Sequence, residues 1–399
     1  MKFNAKMNKK SIFVSVFILV QLLCMMNFEL YSKFAEYMPF LLVGMVIGTF
    51  FCIGPISFDT KIVRYSIIAV AMATISSFVS KTSITFVLYF TLMILLPILF
   101  CKINFSRVLL GTISAVGSIF VFSYLHNAKD YLAKYEAQRI RMTLGEINDF
   151  NPNTICIFAF MFFVFLITTL DMTGIKTKFW TTVCTAIGVV LSLRMDNKTM
   201  LFCFIIWCLG IVIIPTKFWQ NKTRTKVIAN SLLIVGIVFP YAISKSNNSI
   251  FSLGGRAYIW NRFFGLLGHD IIKWIFGLGG NQSDQISTVL GRGGIMHNSY
   301  LQVIFFFGII TFIILLLIIN LWIDKMEVNT INSSGAKLLV AFFCSLIIGY
   351  SEVVLQSNSY IIFTSMIIAM LMNKEMWDTE SENIKKTPKF IQRMSTLKG

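Results

Sequence analysis

Twelve apolar stretches, most of them about as long as a membrane-spanning helix, run through this chain of 399 residues. A helix needs about 20 apolar residues to cross the hydrocarbon core of a bilayer. Hydrophobic residues make up 56% of the chain and charged residues only 13%, whereas a soluble domain carries roughly twice that share of charge. One water-soluble core cannot hold so much apolar surface, so the sequence predicts an all-α polytopic membrane protein. We expect spans near 11–29, 38–56, 62–80, 83–101, 107–125, 153–172, 178–194, 199–215, 227–244, 299–322, 337–355 and 358–373.

Lysine and arginine set the orientation, because basic segments resist translocation and stay in the cytoplasm. With both termini inside, most of the 35 Lys and Arg residues fall in the inner segments, including residues 1–10 and the tail 374–399. The basic N-terminus precedes an apolar run without a small-residue cleavage site, so we expect an uncleaved first helix. The net charge of +17 then reflects membrane orientation and contact with anionic lipids, and we expect no nucleic-acid partner.

Loop length divides the chain. The inner loops are too short for a βαβ nucleotide-binding unit of about 30 residues, and no GxxxxGK, HExxH or DxD motif occurs, so we expect no cofactor and no metal. The expected organisation is N-terminal transmembrane helices over 1–125, an extracytoplasmic loop with an amphipathic helix over 126–152, four transmembrane helices over 153–244, a large extracytoplasmic loop over 245–298, three transmembrane helices over 299–373, and a polar cytoplasmic tail over 374–399.

The large loop 245–298 contains the residues that indicate chemistry. Its cations are kept on the face where positive charge is normally avoided, which indicates an anionic ligand. Aromatic and aliphatic residues at helical spacing over 257–267 predict a helix that begins near Arg256, whose first backbone amides would add to an anion site. The charged residues considered in this loop are Arg256, Arg262, Lys273 and Arg292 against Asp270 and Asp284.

Two further candidates lie at predicted span ends. His297 comes just before the helix that begins near Ser299, where a histidine can act as a general base or can simply cap or anchor the helix. Arg194 ends an apolar run on the outer side, and arginine is costly there unless it is paired or functional. Pairing with Asp196 is the structural alternative for Arg194. The loop 126–152 is typical of a helix lying on the membrane, with substrate binding as the alternative.

Short motifs, taken in their order, resemble the O-antigen ligase/polymerase superfamily. The resemblance covers roughly residues 150–350 and comes from the order and spacing of the motifs more than from any one of them. The matching segments are Asn-Pro-Asn at 151–153, Leu-Ser-Leu-Arg at 191–194, GGRAYIW at 254–260, FGLGGNQ at 276–282, and HNSYLQ at 297–302 before an apolar helix with Gly308.

The resemblance implies a metal-independent, inverting glycosyltransferase of the GT-C type in a bacterial inner membrane. Its donor would be a glycan on undecaprenyl pyrophosphate, which stores the energy of the reaction, so no ATP is required. By motif match Arg194 and Arg256 would hold the pyrophosphate, with Arg292 as a further candidate. His297 would deprotonate or orient the acceptor hydroxyl. Arginine suits a diphosphate because its rigid fork matches phosphate oxygens and stays charged.

Within the family we favour an O-antigen or capsule polymerase, which joins a lipid-linked donor glycan to a lipid-linked acceptor, with a chain-length regulator protein as a partner. An O-antigen ligase, which transfers the finished chain to lipid A core, would use the same residues. A flippase or other transporter is disfavoured because no internal repeat is visible and the helix interiors carry few charges. A scaffold without chemistry leaves the cationic outer loop unexplained.

We predict that single-cysteine reporters placed within 245–298, in a cysteine-free background, react with a membrane-impermeant maleimide added outside intact spheroplasts. Reporters in the tail 374–399 should react only after permeabilisation. The reason is the Lys and Arg distribution, which places these two segments on opposite sides. Labelling of 245–298 from the cytosol alone would overturn both the orientation and the enzyme interpretation.

Overall fold

A computed structural model describes residues 14–16, 18–20, 33, 37–53, 59–102, 107–141, 151–245, 256–279, 296–352 and 360–373. Over these residues the regular secondary structure is helical. The longer helices are α1 Met38–Ile53, α2 Thr60–Ser80, α3 Ile84–Phe100, α4 Arg107–His126, α5 Ala128–Arg141, α6 Pro152–Met172, α7 Lys178–Arg194, α8 Lys198–Val212, α9 Lys222–Lys245, α10 Arg256–Leu267, α11 Ile271–Phe276, α12 Ser299–Lys325, α13 Ser333–Ile348 and α14 Ile361–Met372. Short helical turns occur at Thr216–Trp219 and Val328–Thr330.

Helices α1 to α14 include one for each predicted span from 38–56 onward. Most of the predicted span 11–29 and the tail 374–399 lie outside the described residues. Polar side chains set many of the helix starts, because each accepts a hydrogen bond from a backbone amide that has no partner within the helix. The capping residues include Asp59, Ser83, Asn151, Asn197, Asp270, Asn298 and Asn332.

Five described segments are long and apolar enough to cross a membrane by length and composition, which is the pattern of a helical membrane protein. Four further helices are apolar but shorter: Ile84–Phe100, Lys198–Val212, Ser333–Ile348 and Ile361–Met372. The total of twelve spans and the GT-C-like arrangement stay predictions. The five long segments are Thr60–Ser80, Leu109–His126, Pro152–Met172, Lys222–Lys245 and Ser299–Thr330.

The structure has a helix in each of the two segments, 126–152 and 245–298, for which the sequence predicted one outside the spans. In the segment 126–152, helix α5 buries Ala128 and Tyr131, as expected for an amphipathic helix. In the large loop, α10 begins at Arg256 and buries Ile259, Trp260 and Phe263 on one side. The buried residues recur at helical spacing, so one face of α10 packs against the bundle.

The predicted span 337–355 is wrong in its extent. Helix α13 runs over Ser333–Ile348, and the chain leaves the helix at Gly349. The Gly349 carbonyl accepts a hydrogen bond from the backbone N–H of Ser299 at 2.8 Å, so the end of α13 is held by the start of α12. Glu352 consequently lies beyond the end of α13.

Helix α12 is broken near its middle at Gly308, which has φ 78. The break lets α11 approach α12 closely, because a Cβ atom on Gly308 would lie 1.8 Å from the Ile275 carbonyl oxygen. A Cβ atom on Gly277 would likewise lie 2.6 Å from the Phe305 carbonyl oxygen. Gly277 and Gly308 therefore allow two backbone segments to touch.

Polar groups of other segments satisfy the backbone at this break, as a largely apolar interior requires. The Phe305 carbonyl accepts hydrogen bonds from the backbone N–H groups of Leu278 at 2.8 Å and Gly279 at 3.0 Å. The Phe307 carbonyl accepts one from the Ser76 hydroxyl at 2.9 Å. The loop that follows α11 is thereby fixed to the middle of α12.

We predict that Gly308→Ala lowers the apparent unfolding temperature and the yield of monodisperse protein. The Gly308 backbone, at φ 78 and ψ 174, is open essentially only to glycine, and it costs a residue with a Cβ atom about 1–3 kcal/mol. Contact with Ile275 adds to that cost. Gly265→Ala in α10 is the matched control, since a Cβ atom there meets nothing within 4 Å. Equal stability of the two variants in detergent would contradict the described break.

Candidate functional site

The partly buried carboxylate of Glu352 lies at one end of the bundle, close to polar side chains from three other segments. Arg256 Nη2 lies 2.7 Å from Glu352 Oε1, and Asn153 Nδ2 donates to the same oxygen at 2.6 Å. His297 Nδ1 lies 3.9 Å from the second oxygen, Oε2. The exposed side-chain fractions are 15% for Glu352 and 20% for Arg256, so the ion pair is only weakly screened by water. We call these residues, together with Asn197, the Glu352 cluster.

Asn197 extends the cluster to a fourth segment. Its side chain donates from Nδ2 to Asn153 Oδ1 at 3.0 Å and accepts from the backbone N–H of Met200 at 3.0 Å. The second contact caps α8, and the first joins the turn before α8 to the first turn of α6. The two helix starts are thus held in the orientation that points Asn153 at Glu352.

His297 sits in a constrained backbone position. Its φ is 47, a left-handed conformation that is uncommon for a residue with a side chain. Its Nδ1 is buried without a hydrogen-bond partner, and the 3.9 Å separation from Glu352 is too long for a hydrogen bond. A small movement of the imidazole would let Glu352 serve as that partner.

Neighbouring residues hold the turn that carries His297. The Trp260 indole of α10 donates to the Met296 carbonyl at 2.9 Å. The side chain of Asn298 caps α12 by accepting from the backbone N–H groups of Tyr300 and Leu301. His297 therefore does not act as the helix cap, which removes that explanation for its presence.

The His297 turn is also tied directly to the segment that carries Glu352. The Ser299 hydroxyl donates to the Glu352 carbonyl at 2.8 Å, and Asn298 Nδ2 donates to the Tyr350 carbonyl at 3.2 Å. These contacts fix the two backbones against each other. The short distance between the imidazole and the carboxylate therefore follows from backbone hydrogen bonding.

Arg194 lies outside the Glu352 cluster. It is exposed, and its Nη1 donates to the Leu125 carbonyl at 2.9 Å instead of pairing with Asp196 in the way we considered. With Phe122, Leu125, His126 and Val190 it lines a cavity of about 340 Å³. Arg194 is three residues before Asn197 in the sequence, so the cavity is adjacent along the chain to the cluster.

The structure brings together two of the four predicted site residues, Arg256 and His297. Arg292 lies outside the described residues. Sequence reasoning missed Glu352, which it had placed inside the predicted span 337–355, and it gave no role to Asn197. An ionisable residue in an apolar run is a functional candidate by default, and this signal would have identified Glu352.

The cluster is less cationic than the loop composition indicated, because Glu352 neutralises Arg256. A guanidinium has five N–H donors in a rigid fork, so one contact with Glu352 leaves donors for an anionic ligand. The half-exposed imidazole of His297, 38% exposed, stands on the other side of the same carboxylate. The arrangement can therefore hold an anion at Arg256 and accept a proton at His297.

No protein-family model, no curated protein and no solved structure matches this chain.

We predict that a double-mutant cycle with Arg256→Gln and Glu352→Gln gives a coupling free energy of about 1.5–3 kcal/mol, the range for hydrogen bonds to charged groups. The measurement is the free energy of unfolding in mixed micelles. Lys226 and Asp324 form a matched pair at 2.7 Å, with exposed fractions of 32% and 46%. Their Gln cycle should give no more than about 1 kcal/mol, because exposed pairs are screened. A coupling energy near zero for Arg256 and Glu352 would contradict the described ion pair.

Proposed function

We propose that this chain is a glycosyltransferase of a bacterial inner membrane that joins undecaprenyl-pyrophosphate-linked oligosaccharide units on the outer face, as an O-antigen polymerase does. The observation that carries the proposal is the meeting of Arg256 and His297 at Glu352. The motif resemblance assigns Arg256 to the donor pyrophosphate and His297 to the acceptor hydroxyl, each from a different motif. A transfer reaction needs these two roles within reach of one bond.

Arg256 would bind the donor pyrophosphate. Its contact with Glu352 fixes the orientation of the guanidinium before substrate arrives, and pre-oriented charge is worth more in a partly buried site than in water. Arg256 is also the first residue of α10, so the backbone N–H groups of the first turn, which have no partner within the helix, would add to the anion site. Arg194, in the cavity that it lines with Phe122 and Val190, would contact another part of the diphosphate or its lipid.

His297 would take the proton from the acceptor hydroxyl. As that proton moves to the imidazole, the hydroxyl oxygen bonds to the anomeric carbon of the donor sugar, and the bond from that carbon to the pyrophosphate oxygen breaks. Undecaprenyl pyrophosphate leaves with the bonding electrons, so no general acid is needed. Glu352 would stabilise the imidazolium that forms, as a carboxylate does for a catalytic histidine.

We predict that Arg256→Ala and His297→Ala still insert in the membrane but restrict the surface polysaccharide to single repeat units on lipid A core. Arg256→Ala should also lower the stability of the protein, because Glu352 loses its partner. Each variant removes one of the two roles, and loss of a key electrostatic or proton-transfer group lowers turnover by about 10²- to 10⁴-fold. The measurement is the gel pattern of lipopolysaccharide from a deletion strain that expresses each variant at matched levels.

Arg262→Ala is the control for this experiment, because Arg262 lies in the same helix as Arg256 and is exposed. It should support the full ladder of chain lengths. A full ladder of polysaccharide chain lengths from the Arg256 and His297 variants would contradict the site assignment. If the deletion strain accumulates long lipid-linked chains and carries lipid A core without polysaccharide, the protein is a ligase and not a polymerase.

A further inference from the structure

A second polar cavity lies at the end of the bundle opposite the Glu352 cluster. Helix α6 connects the two ends, with Asn153 in its first turn and Asp171 in its last, and a 21-residue helix is about 30 Å long at a rise of about 1.5 Å per residue. The cavity has a volume of about 470 Å³. It is lined by Asp171, by residues 174–179, which form the turn after α6 and the first residues of α7, and by Ser333 at the start of α13.

The carboxylate in the lining, that of Asp171, is already neutralised within the protein. Lys337, whose side chain is 1% exposed, lies 2.9 Å from Asp171 Oδ1. The hydroxyl of Ser334 donates to the other oxygen, and the hydroxyl of Thr177 donates to Oδ1 at 3.2 Å. These contacts compensate the burial of both charges, so Asp171 is not a strong barrier to an anion in the cavity.

Two lysines give the cavity a positive charge. Lys176 and Lys178 are exposed, and none of the ion pairs found among the described residues uses either of them. Ser333 Oγ accepts a hydrogen bond from Lys337 Nζ at 2.7 Å, so the Ser333 hydroxyl hydrogen is available to a ligand in the cavity. The lining thus offers two ammonium groups and one hydroxyl donor.

Exposed aromatic side chains stand beside these lysines. Phe179 is 68% and Trp180 45% exposed, and their rings are in edge contact with a centroid separation of 5.4 Å. Basic residues followed by exposed aromatic residues at the start of an apolar helix are typical of the headgroup level of a bilayer. The adjacent apolar surface of α7, with Leu193 and Val190 exposed farther along, is suited to acyl chains.

We propose that this cavity binds the headgroup phosphate of an anionic phospholipid from the leaflet opposite the Glu352 cluster. Lys176 and Lys178 contact the phosphate, the Ser333 hydroxyl donates to one of its oxygens, and the acyl chains lie along Phe179 and Trp180. Basic recesses between helices are a common lipid site in membrane proteins. The inference goes beyond the proposed enzymatic function and does not depend on it.

The test is native mass spectrometry of the full-length, detergent-purified protein with phosphatidylglycerol and with phosphatidylcholine of the same acyl chains. The wild-type protein should prefer phosphatidylglycerol. Lys176→Gln/Lys178→Gln should weaken the binding of that lipid by about tenfold or more, since both ammonium groups that contact its phosphate are removed. Lys176→Arg/Lys178→Arg keeps both charges and should retain the affinity. This conservative variant also shows whether the turn tolerates substitution.

Lys61→Gln/Lys217→Gln is the matched control, because it removes two exposed lysines that do not line the cavity. It should leave the affinity for phosphatidylglycerol unchanged. Equal weakening by both Gln pairs would mean that only net charge matters and would overturn the site. So would an unchanged affinity in Lys176→Gln/Lys178→Gln. Full displacement of the lipid by soluble glycerol phosphate at equal concentration would assign the cavity to a free phosphate ester instead.

Discussion

The Glu352 carboxylate is the group on which one end of this structure depends. A carboxylate placed among apolar helices costs several kcal/mol unless it is paired and hydrogen-bonded. Arg256 and Asn153 satisfy it, and each comes from the first turn of a different helix. The interaction that joins α6, α10 and the end of α13 therefore also builds the candidate site. Stability and reactivity share the same side chains there, so removing Glu352 is expected to affect both.

Backbone contacts add the precision that the ion pair alone would lack. Ser299 bonds to the Gly349 and Glu352 carbonyls, and the loop after α11 is held at the break around Gly308. His297 is thereby kept in its left-handed conformation beside the carboxylate. Substrate-binding residues that are held before substrate arrives lose less entropy on binding. The broken helix and the glycine-rich run thus support the site without touching a ligand themselves.

The sequence predicted what periodicity and local chemistry encode. Apolar stretches predicted the helices, the spacing over 257–267 predicted a helix that begins near Arg256, and the apolar run after His297 predicted a helix that begins near Ser299. Glu352 was missed because the end of a helix cannot be located within an apolar run. Helix α13 ends before Gly349, whose carbonyl is hydrogen-bonded to the backbone N–H of Ser299, some fifty residues away. The Asn197–Asn153 contact and the break at Gly308 could not be predicted for the same reason. Each depends on contacts between residues far apart in the sequence, which no local sequence pattern predicts.

The central claim is that the Glu352 cluster transfers glycans from undecaprenyl pyrophosphate. The most direct measurement uses purified protein in proteoliposomes that contain an undecaprenyl-pyrophosphate-linked oligosaccharide, with neither nucleotide nor divalent cation added. Our account predicts release of undecaprenyl pyrophosphate, one molecule for each new glycosidic bond, as the glycan lengthens on the remaining lipid. Retention of all the sugar on its original carrier by folded protein, across a range of pH and donor concentrations, would contradict it.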